Sequence, residues 1–403
     1  MTMSLPQYSK EQCLTSYSPP ISFWHRLTRL FTLGLPPAFT AQTPRNEHAK
    51  ATRATAVGRA VPKYYYDQAT LTKALLGMWD TSHQNFDRIA KLHENVHVSG
   101  RYTALPIERY AQPRSFKDNN DAYIEVAVEL GAAAINEALR KAGLKASDID
   151  HIFFVSITGI ATPSIDARLV NTLGLRSDIK RTPIFGLGCV AGVAGVARVP
   201  DYLEAYLDHI AVLVSVELCT LTFQQQDFSI PNIIASGLFG DGAAAVLIAG
   251  ANRLATGPQI IDTRSIFYSN TEDAMDWNVT SNGFGIVLSP DVPKIVESNI
   301  ATNVQEFLAA NQLTQADIAF YVCHPGGPKV LQAFESALDL APHALDVTRR
   351  HLAEYGNLSS ASVLMVLEDT MALLAQHRPP AGSSRLMMAV GPGFCAELVL
   401  LRW

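Results

Sequence analysis

Positive charge is in short supply in this chain of 403 residues: 32 Lys and Arg stand against 37 Asp and Glu, a formal net charge of −5. No dense basic face can be assembled from that balance, which argues against a nucleic-acid partner. Cysteine is scarce as well, five residues scattered as Cys13, Cys189, Cys219, Cys323 and Cys395, with no CxxC pair and no His/Cys cluster at zinc-binding spacing. Free thiols in a reducing cytoplasm are therefore expected, and no resident metal or redox cofactor is implied. No apolar run approaches the roughly 20 residues of a membrane helix, so no membrane span is expected. A GxGxxG turn opening a βαβ unit is also missing, which disfavours a dinucleotide-dependent redox enzyme.

What remains is an ordinary globular composition, 48% apolar, sufficient for one large or two medium domains. Residues 1–53, rich in Ser, Thr and Pro, read as a mobile extension. A short amphipathic piece at 21–35, with Arg26 and Arg29, also suits a cleaved targeting peptide, although Pro36-Pro37 interrupts it. A β-like run at 55–61 opens the folded part, helical periodicity follows at 68–79, and 121–142 reads as an amphipathic helix stopped by Gly143. Arg88 and Lys91, three residues apart in a helical stretch at 86–95, share a face that is either solvated or an anion-binding rim.

The chain then says similar things twice. Residues 144–155 and 313–322 each read as turn, Asp-Ile, strand after a long helix. Each is followed by a small-residue turn that starts a helix, Gly186-Leu187-Gly188-Cys189-Val190-Ala191-Gly192 in one case and Gly356-Asn357-Leu358-Ser359-Ser360-Ala361-Ser362 in the other. Strand pairs around Gly240-Asp241-Gly242 and Gly391-Pro392-Gly393 complete the match. Three matched pairs in one order predict an internally duplicated α/β chain, divided into halves at 54–265 and 266–403. In such folds, turns from the carboxyl ends of equivalent strands meet at the shared interface, where ligands bind.

Those turns carry Cys189, His324 and Asn357. Cys189 is a packed small residue or a nucleophile; His324, followed by Pro325-Gly326-Gly327, is a satisfied polar residue or a site residue; Asn357 is a turn residue, an N-cap or a site residue. A helix N-terminus favours a thiolate by about 0.3 to 1 kcal/mol, up to about 2 when buried, or roughly one pKa unit. Activation of Cys189 therefore calls for a cationic neighbour such as a histidine.

The Cys189 turn, Leu238-Phe239-Gly240-Asp241-Gly242, His324-Pro325-Gly326-Gly327-Pro328, Gly356-Asn357-Leu358-Ser359-Ser360 and Gly391-Pro392-Gly393-Phe394 resemble the signatures of the type III polyketide synthases, the chalcone-synthase-like family, over roughly residues 55–403. The resemblance implies a thiolase-like duplicated αβαβα layered fold and a homodimer. It implies a Cys189, His324, Asn357 triad that loads an acyl-CoA starter, extends it with malonyl-CoA and cyclises the product, using coenzyme A thioesters as substrates with no permanently bound cofactor. It places Phe239, Thr162, Cys219, Thr222, Ile286 and Ser359 around the substrate pocket, and Arg88, Lys91, Gly327 and Lys329 at the coenzyme A site. The sequence departs from the family at Asn95, a third basic position, at Ala389-Val390 ahead of Gly-Pro-Gly, at Ile286, where a gating aromatic is usual, and at Trp277, where plant members often have a small residue. These departures resemble the bacterial branch that makes alkylpyrones from fatty acyl starters. The alternatives are a ketoacyl synthase III-like enzyme making a single condensation and a noncatalytic thiolase-fold binding subunit.

Overall fold

The duplication read from the sequence is built into the strand order. The structure, a computed structural model, describes residues 52–79, 86–376 and 382–403; apart from its last two positions, the extension and its targeting-peptide alternative lie outside the described residues. The first half runs β1 (Arg53–Ala60), β2 (Tyr64–Asp67), α1 (Gln68–Met78), α2 (Phe86–Glu94), β3 (Gly100–Thr103), α3 (Phe116–Ala142), β4 (His151–Val155), α4 (Ile165–Leu173), β5 (Lys180–Ile184), α5 (Ala191–Ala205), β6 (Ile210–Leu218), α6 (Ile230–Leu238) and β7 (Asp241–Ala249). The second runs β8 (Gln259–Phe267), β9 (Met275–Thr280), β10 (Gly283–Leu288), α7 (Val292–Ala310), β11 (Ile318–Cys323), α8 (Pro328–Ala337), α9 (Asp346–Tyr355), α10 (Ser360–Gln376), β12 (Ser384–Gly391) and β13 (Cys395–Arg402).

Among the described residues, nine strands form one sheet in the order β11-β12-β13-β8-β1-β7-β6-β4-β5. From the outside inward, β4-β6-β7-β1 repeats β11-β12-β13-β8: the first pair is parallel and the next two are antiparallel in both halves. The halves join at β1 and β8 through a single registered pair, Arg53 with Gln259. Residue 265, where the sequence reading ends the first half, lies within β8.

Side-chain alternation turns this sheet into five layers. Ala211 and Leu213 of β6, Val246 of β7, and Met387 and Val399 from the other half share one core with α5 and α10. The intervening residues of β6, Ile210, Val212 and Val214, point the other way into a core with α3. Likewise Leu386, Met388, Leu398 and Leu400 face α7 and α8. Strands buried on both faces lose the polar alternation of a half-exposed sheet, which is why β6 and β7 read as continuous apolar runs. The central pair α5 and α10 pack so closely that a Cβ on Gly192 would collide with the Ser360 carbonyl.

The repeated Asp-Ile has a local cause. Asp148 and Asp317 each accept from the backbone N–H three residues earlier, Lys145 at 2.8 Å and Thr314 at 2.7 Å, closing the turn before β4 and β11. Helix α3 starts five residues ahead of the expected position because Ser115 and Asp118 form a capping box, and it ends at Gly143 with φ +67. Among the described residues, no helix is long and apolar enough to cross a membrane.

Candidate active site

Beyond β5 the chain turns through Gly186 and Gly188 into a 3-10 turn, Gly188–Val190, that continues directly into α5. Gly188 has φ +54, and a Cβ there would lie 2.6 Å from the Pro392 ring. The left-handed backbone and the seat for Pro392 both exclude a side chain at this position. Cys189 is thereby held in the first turn of the central helix, where unpaired backbone amides favour negative charge. It is buried.

The matching turn in the second half leaves α9 at Tyr355 and pairs Asn357 with the segment after α6. Asn357 N–H donates to the Leu238 carbonyl at 2.9 Å, and Gly240 N–H donates to the Asn357 carbonyl at 3.1 Å, a one-rung parallel bridge centred on Phe239. The Asn357 amide is oriented by its neighbour: Ser359 N–H donates to Oδ1 at 2.8 Å, which turns Nδ2 toward the Gly326 carbonyl, 3.4 Å away. Ser359 itself has φ +46, unusual for a residue with a side chain, and its Oγ lies 3.6 Å from Cys189 Sγ.

His324 continues β11 by one residue, its N–H donating to the Met388 carbonyl at 3.0 Å, and Gly326 N–H folds back onto the His324 carbonyl at 2.9 Å. The ring is buried, and neither ring nitrogen has a hydrogen-bond partner among the described residues. Cys189, Ser359, Asn357, Gly326 and His324 are thus linked in turn across the two halves, the last link being made by the main chain of His324 and not by its ring.

Burial governs the charges here. It pushes the Cys189 thiol up to about 11, with the Ser359 hydroxyl acting in the opposite direction and Glu217 reinforcing the rise. Burial alone pushes the His324 imidazole down to about 3. Burial thus opposes both the thiolate and the imidazolium that the sequence led us to expect, and acts on Cys189 in the opposite direction to the helix dipole. A neutral imidazole with a free nitrogen is the form that can take the thiol proton as the sulfur attacks.

A cavity partly open to solvent meets this run at Phe239, while Cys189, His324 and Asn357 are not in its lining. Phe239 belongs to both, since its side chain lines the cavity while its backbone pairs with Asn357. Cys219, Thr222, Ile286 and Trp277 line it too, and Leu71, Ala74, Leu75 and Met78 of α1 form an apolar wall.

Residues 41–252 match the N-terminal domain of the chalcone and stilbene synthases, and residues 259–403 match their C-terminal domain. The chain belongs to the chalcone and stilbene synthase family, the type III polyketide synthases. A 1,3,6,8-tetrahydroxynaphthalene synthase from Streptomyces peucetius subsp. caesius is 45% identical over 357 residues, covering 88% of this chain and 94% of that one. A putative chalcone synthase from Bacillus subtilis is 37% identical over 358 residues, covering 86% and 97%. The crystal structure of the 1,3,6,8-tetrahydroxynaphthalene synthase of Streptomyces coelicolor A3(2), a bacterial type III polyketide synthase, superposes with a TM-score of 0.82 at 33% identity, covering 87% of this chain and 99% of that one. The protein is accordingly an acyltransferase that condenses coenzyme A thioesters with decarboxylation of malonyl-CoA. The family match decides against the ketoacyl synthase III-like alternative.

Not every position expected of a type III synthase falls where the sequence put it. Thr162 is exposed and does not line the cavity: the loop between β4 and α4 is buried at Ser156, Ile157, Thr158 and Gly159 and reaches the surface only from Ile160 on. Ser359 sits against Cys189 and is absent from the cavity wall. Arg88 and Lys91 are exposed on α2; Gly327 is buried at the start of α8, and Lys329 is exposed in its first turn. Sequence reasoning missed Glu217. This carboxyl is fully buried one layer behind Cys189, accepting from Ile157 N–H at 3.1 Å, Thr158 Oγ1 at 3.0 Å and the Ser360 hydroxyl. Burial pushes it up to about 7 against those hydrogen bonds. The available signal was a lone Glu inside an apolar strand, since an acidic side chain so placed is rarely without partners.

Proposed function

We propose that Cys189 is the nucleophile that receives the starter, with His324 and Asn357 as its partners, and that the starter is an aliphatic acyl-CoA. The observation that carries the catalytic reading is the run of contacts Cys189–Ser359–Asn357–Gly326–His324. In loading, the Cys189 sulfur attacks the thioester carbonyl, His324 takes the thiol proton, and collapse of the tetrahedral adduct expels coenzyme A, which leaves with that proton. In extension, the carbon–carbon bond to the malonyl carboxylate breaks, carbon dioxide departs, and the electron pair remains as an enolate. His324 N–H and Asn357 Nδ2 donate to the enolate oxygen. The enolate carbon then attacks the acyl group on Cys189 and returns the thiolate. One such donor is worth about 2.7 to 4 kcal/mol.

The aliphatic starter and an alkylpyrone-type product are favoured by the apolar α1 wall of the cavity and by Ile286 in its lining. A second reading is favoured by the 45% identity to a tetrahydroxynaphthalene synthase: a polyhydroxylated aromatic built from malonyl units alone, whose alternating oxygens are the pattern left by head-to-tail two-carbon units. Product mass spectrometry with malonyl-CoA, with and without a panel of alkyl and aromatic acyl-CoA esters, separates them. Incorporation of alkyl starters into pyrones is the expected result; an aromatic formed from malonyl-CoA alone, with no alkyl starter incorporated, overturns the aliphatic reading.

A homodimer is part of the proposal. Strand β5 pairs with β4 alone among the described residues, and Phe185 at its end is 59% exposed. An unpaired edge beside an exposed aromatic is a liability that a second copy would cover. Light scattering after size exclusion tests this, a monomer at micromolar concentration being the overturning result. The coenzyme A phosphates are assigned to Arg88 and Lys91 of α2, with Gly327 and Lys329 beside the pantetheine path. Free thiols at Cys189, Cys219, Cys323 and Cys395 suit a reducing compartment, and we assign the cytoplasm.

A further inference from the structure

Arg101, on β3, is 3% exposed and lines the inner wall of the cavity. Burying an arginine is expensive unless its donors are used. Here Nη1 donates to the Gly237 carbonyl at 2.9 Å and to Gln68 Oε1, and Nη2 donates to the Ser236 carbonyl. Gln68 Nε2 reaches the same Gly237 carbonyl at 2.9 Å. Ser236 and Gly237 are among the last residues of α6, so the cation sits at the negative pole of that helix and ties down its final carbonyls.

Immediately after α6 comes the segment that holds Asn357. The Leu238 carbonyl takes the Asn357 N–H, and Gly240 N–H returns to the Asn357 carbonyl. The aliphatic stem of Arg101 packs beneath the same junction: a Cβ on Gly240 would lie 3.1 Å from Arg101 Cβ, and one on Gly356 would lie 3.6 Å from Arg101 Cδ. Both ends of the bridge that fixes Asn357 therefore rest on one side chain. We propose that Arg101 is a positioning residue for malonyl decarboxylation, setting the place of the Asn357 amide by clamping the end of α6 to the Asn357 turn. Among the described residues no hydrogen bond ties Arg101 to Cys189, whose turn is seated on Pro392. The role is thus confined to one of the two partial reactions.

The inference rests on the reading of Asn357 as an enolate donor, and the test separates the two. Malonyl-CoA decarboxylation and acylation of Cys189, the latter read by intact-protein mass, are measured for Arg101→Lys, Arg101→Met, Asn357→Ala and the double variant Arg101→Lys/Asn357→Ala. Lysine keeps the charge but cannot span two carbonyls and Gln68 with a planar fork. Misplacement of a reacting group by about 1 Å costs up to about 100-fold, so Arg101→Lys is expected to lose about 10- to 100-fold in decarboxylation kcat while acylation stays within about twofold. In the Asn357→Ala background the same change is expected to cost nothing further, because the group it positions is gone. Equal losses in both partial reactions, or a full additional loss in the double variant, overturn the positioning role. Wild-type decarboxylation by Arg101→Lys alongside a slow Asn357→Ala overturns it while leaving the Asn357 reading intact; wild-type decarboxylation by Asn357→Ala overturns that reading itself. If Arg101→Met fails to fold, Gln68→Ala, which removes one partner of the same clamp, is expected to show the same split at a smaller size, and an unsplit effect counts against the proposal.

Discussion

Gly188 and Ser359 occupy matching places in the two halves. Each has positive φ, +54 and +46, and each opens the way into a central helix: Gly188 begins the 3-10 turn that runs into α5 at Ala191, and Ser359 stands immediately ahead of Ser360, the first residue of α10. At Gly188 the backbone conformation comes without a side chain, and Pro392 fills the space. At Ser359 the chain keeps a side chain despite the strain, and that side chain touches the Cys189 sulfur. Strained non-glycine residues persist where the surroundings over-determine them, commonly at functional sites. The difference indicates how a duplicated scaffold divides its work: one turn presents a sulfur, and its twin supplies the groups that surround it. The twin of the cysteine, Ser360, faces inward to Glu217 and Ser215.

The sharpest way to break this comparison is to remove each turn's chemistry in isolation. Cys189→Ala is expected to abolish the covalent acyl adduct in intact-mass spectra while retaining malonyl decarboxylation. Asn357→Ala is expected to leave the adduct and slow decarboxylation by roughly 100- to 1,000-fold, the value of one oxyanion donor. A next, smaller effect comes from exchanging the two positive-φ solutions. Gly188→Ala places a Cβ against Pro392 in a disfavoured conformation and should destabilise the protein by about 1 to 3 kcal/mol, read as a lowered thermal midpoint. Ser359→Gly relieves strain and should leave that midpoint unchanged or raised. It also removes a hydrogen bond that favours the thiolate, so iodoacetamide labelling of Cys189 should slow at fixed pH.

An effect visible only as a dependence on pH belongs to the layer behind the turns. Glu217 has its pKa raised from 4.5 to about 7, so its neutral form is favoured in the folded state. Its contribution to stability is complete below about pH 4.5 and is lost as pH rises through 7, by at most about 3 kcal/mol. Glu217→Gln removes that loss. Its thermal midpoint relative to wild type should therefore be higher at pH 8.5 than at pH 5.5, and equal differences at both values would refute the assignment.

Much of this was legible in the residues because its signals are local. A cysteine among glycines after an apolar strand, a histidine before Pro-Gly-Gly and an asparagine after glycine each mark the end of a strand or helix, and the repeated Asp-Ile betrayed the duplication through its turn-closing carboxylates. What escaped depends on segments that no spacing relates. Glu217 draws its partners from Ser156, Ile157, Thr158 and Ser360, and Arg101 acts on carbonyls 135 and 136 positions away. Thr162 went the other way, since a small polar residue near a strand end looks the same in sequence whether its loop turns inward or over the surface. A motif names the groups and says nothing of how dry their surroundings are, which is what sets the direction in which burial pushes Cys189 and His324.

The seam between the halves carries one further lesson. With a single registered pair joining β1 to β8, the backbone ladder does little to hold the two portions in alignment, and the paired helices of the middle layer take that duty. Sulfur and carboxamide each hang from the turn that leads into one of those helices. On the roles proposed for Cys189 and Asn357, a slight slip between them would silence the enzyme while every strand stayed intact, so mild urea should extinguish turnover before far-ultraviolet circular dichroism registers any change.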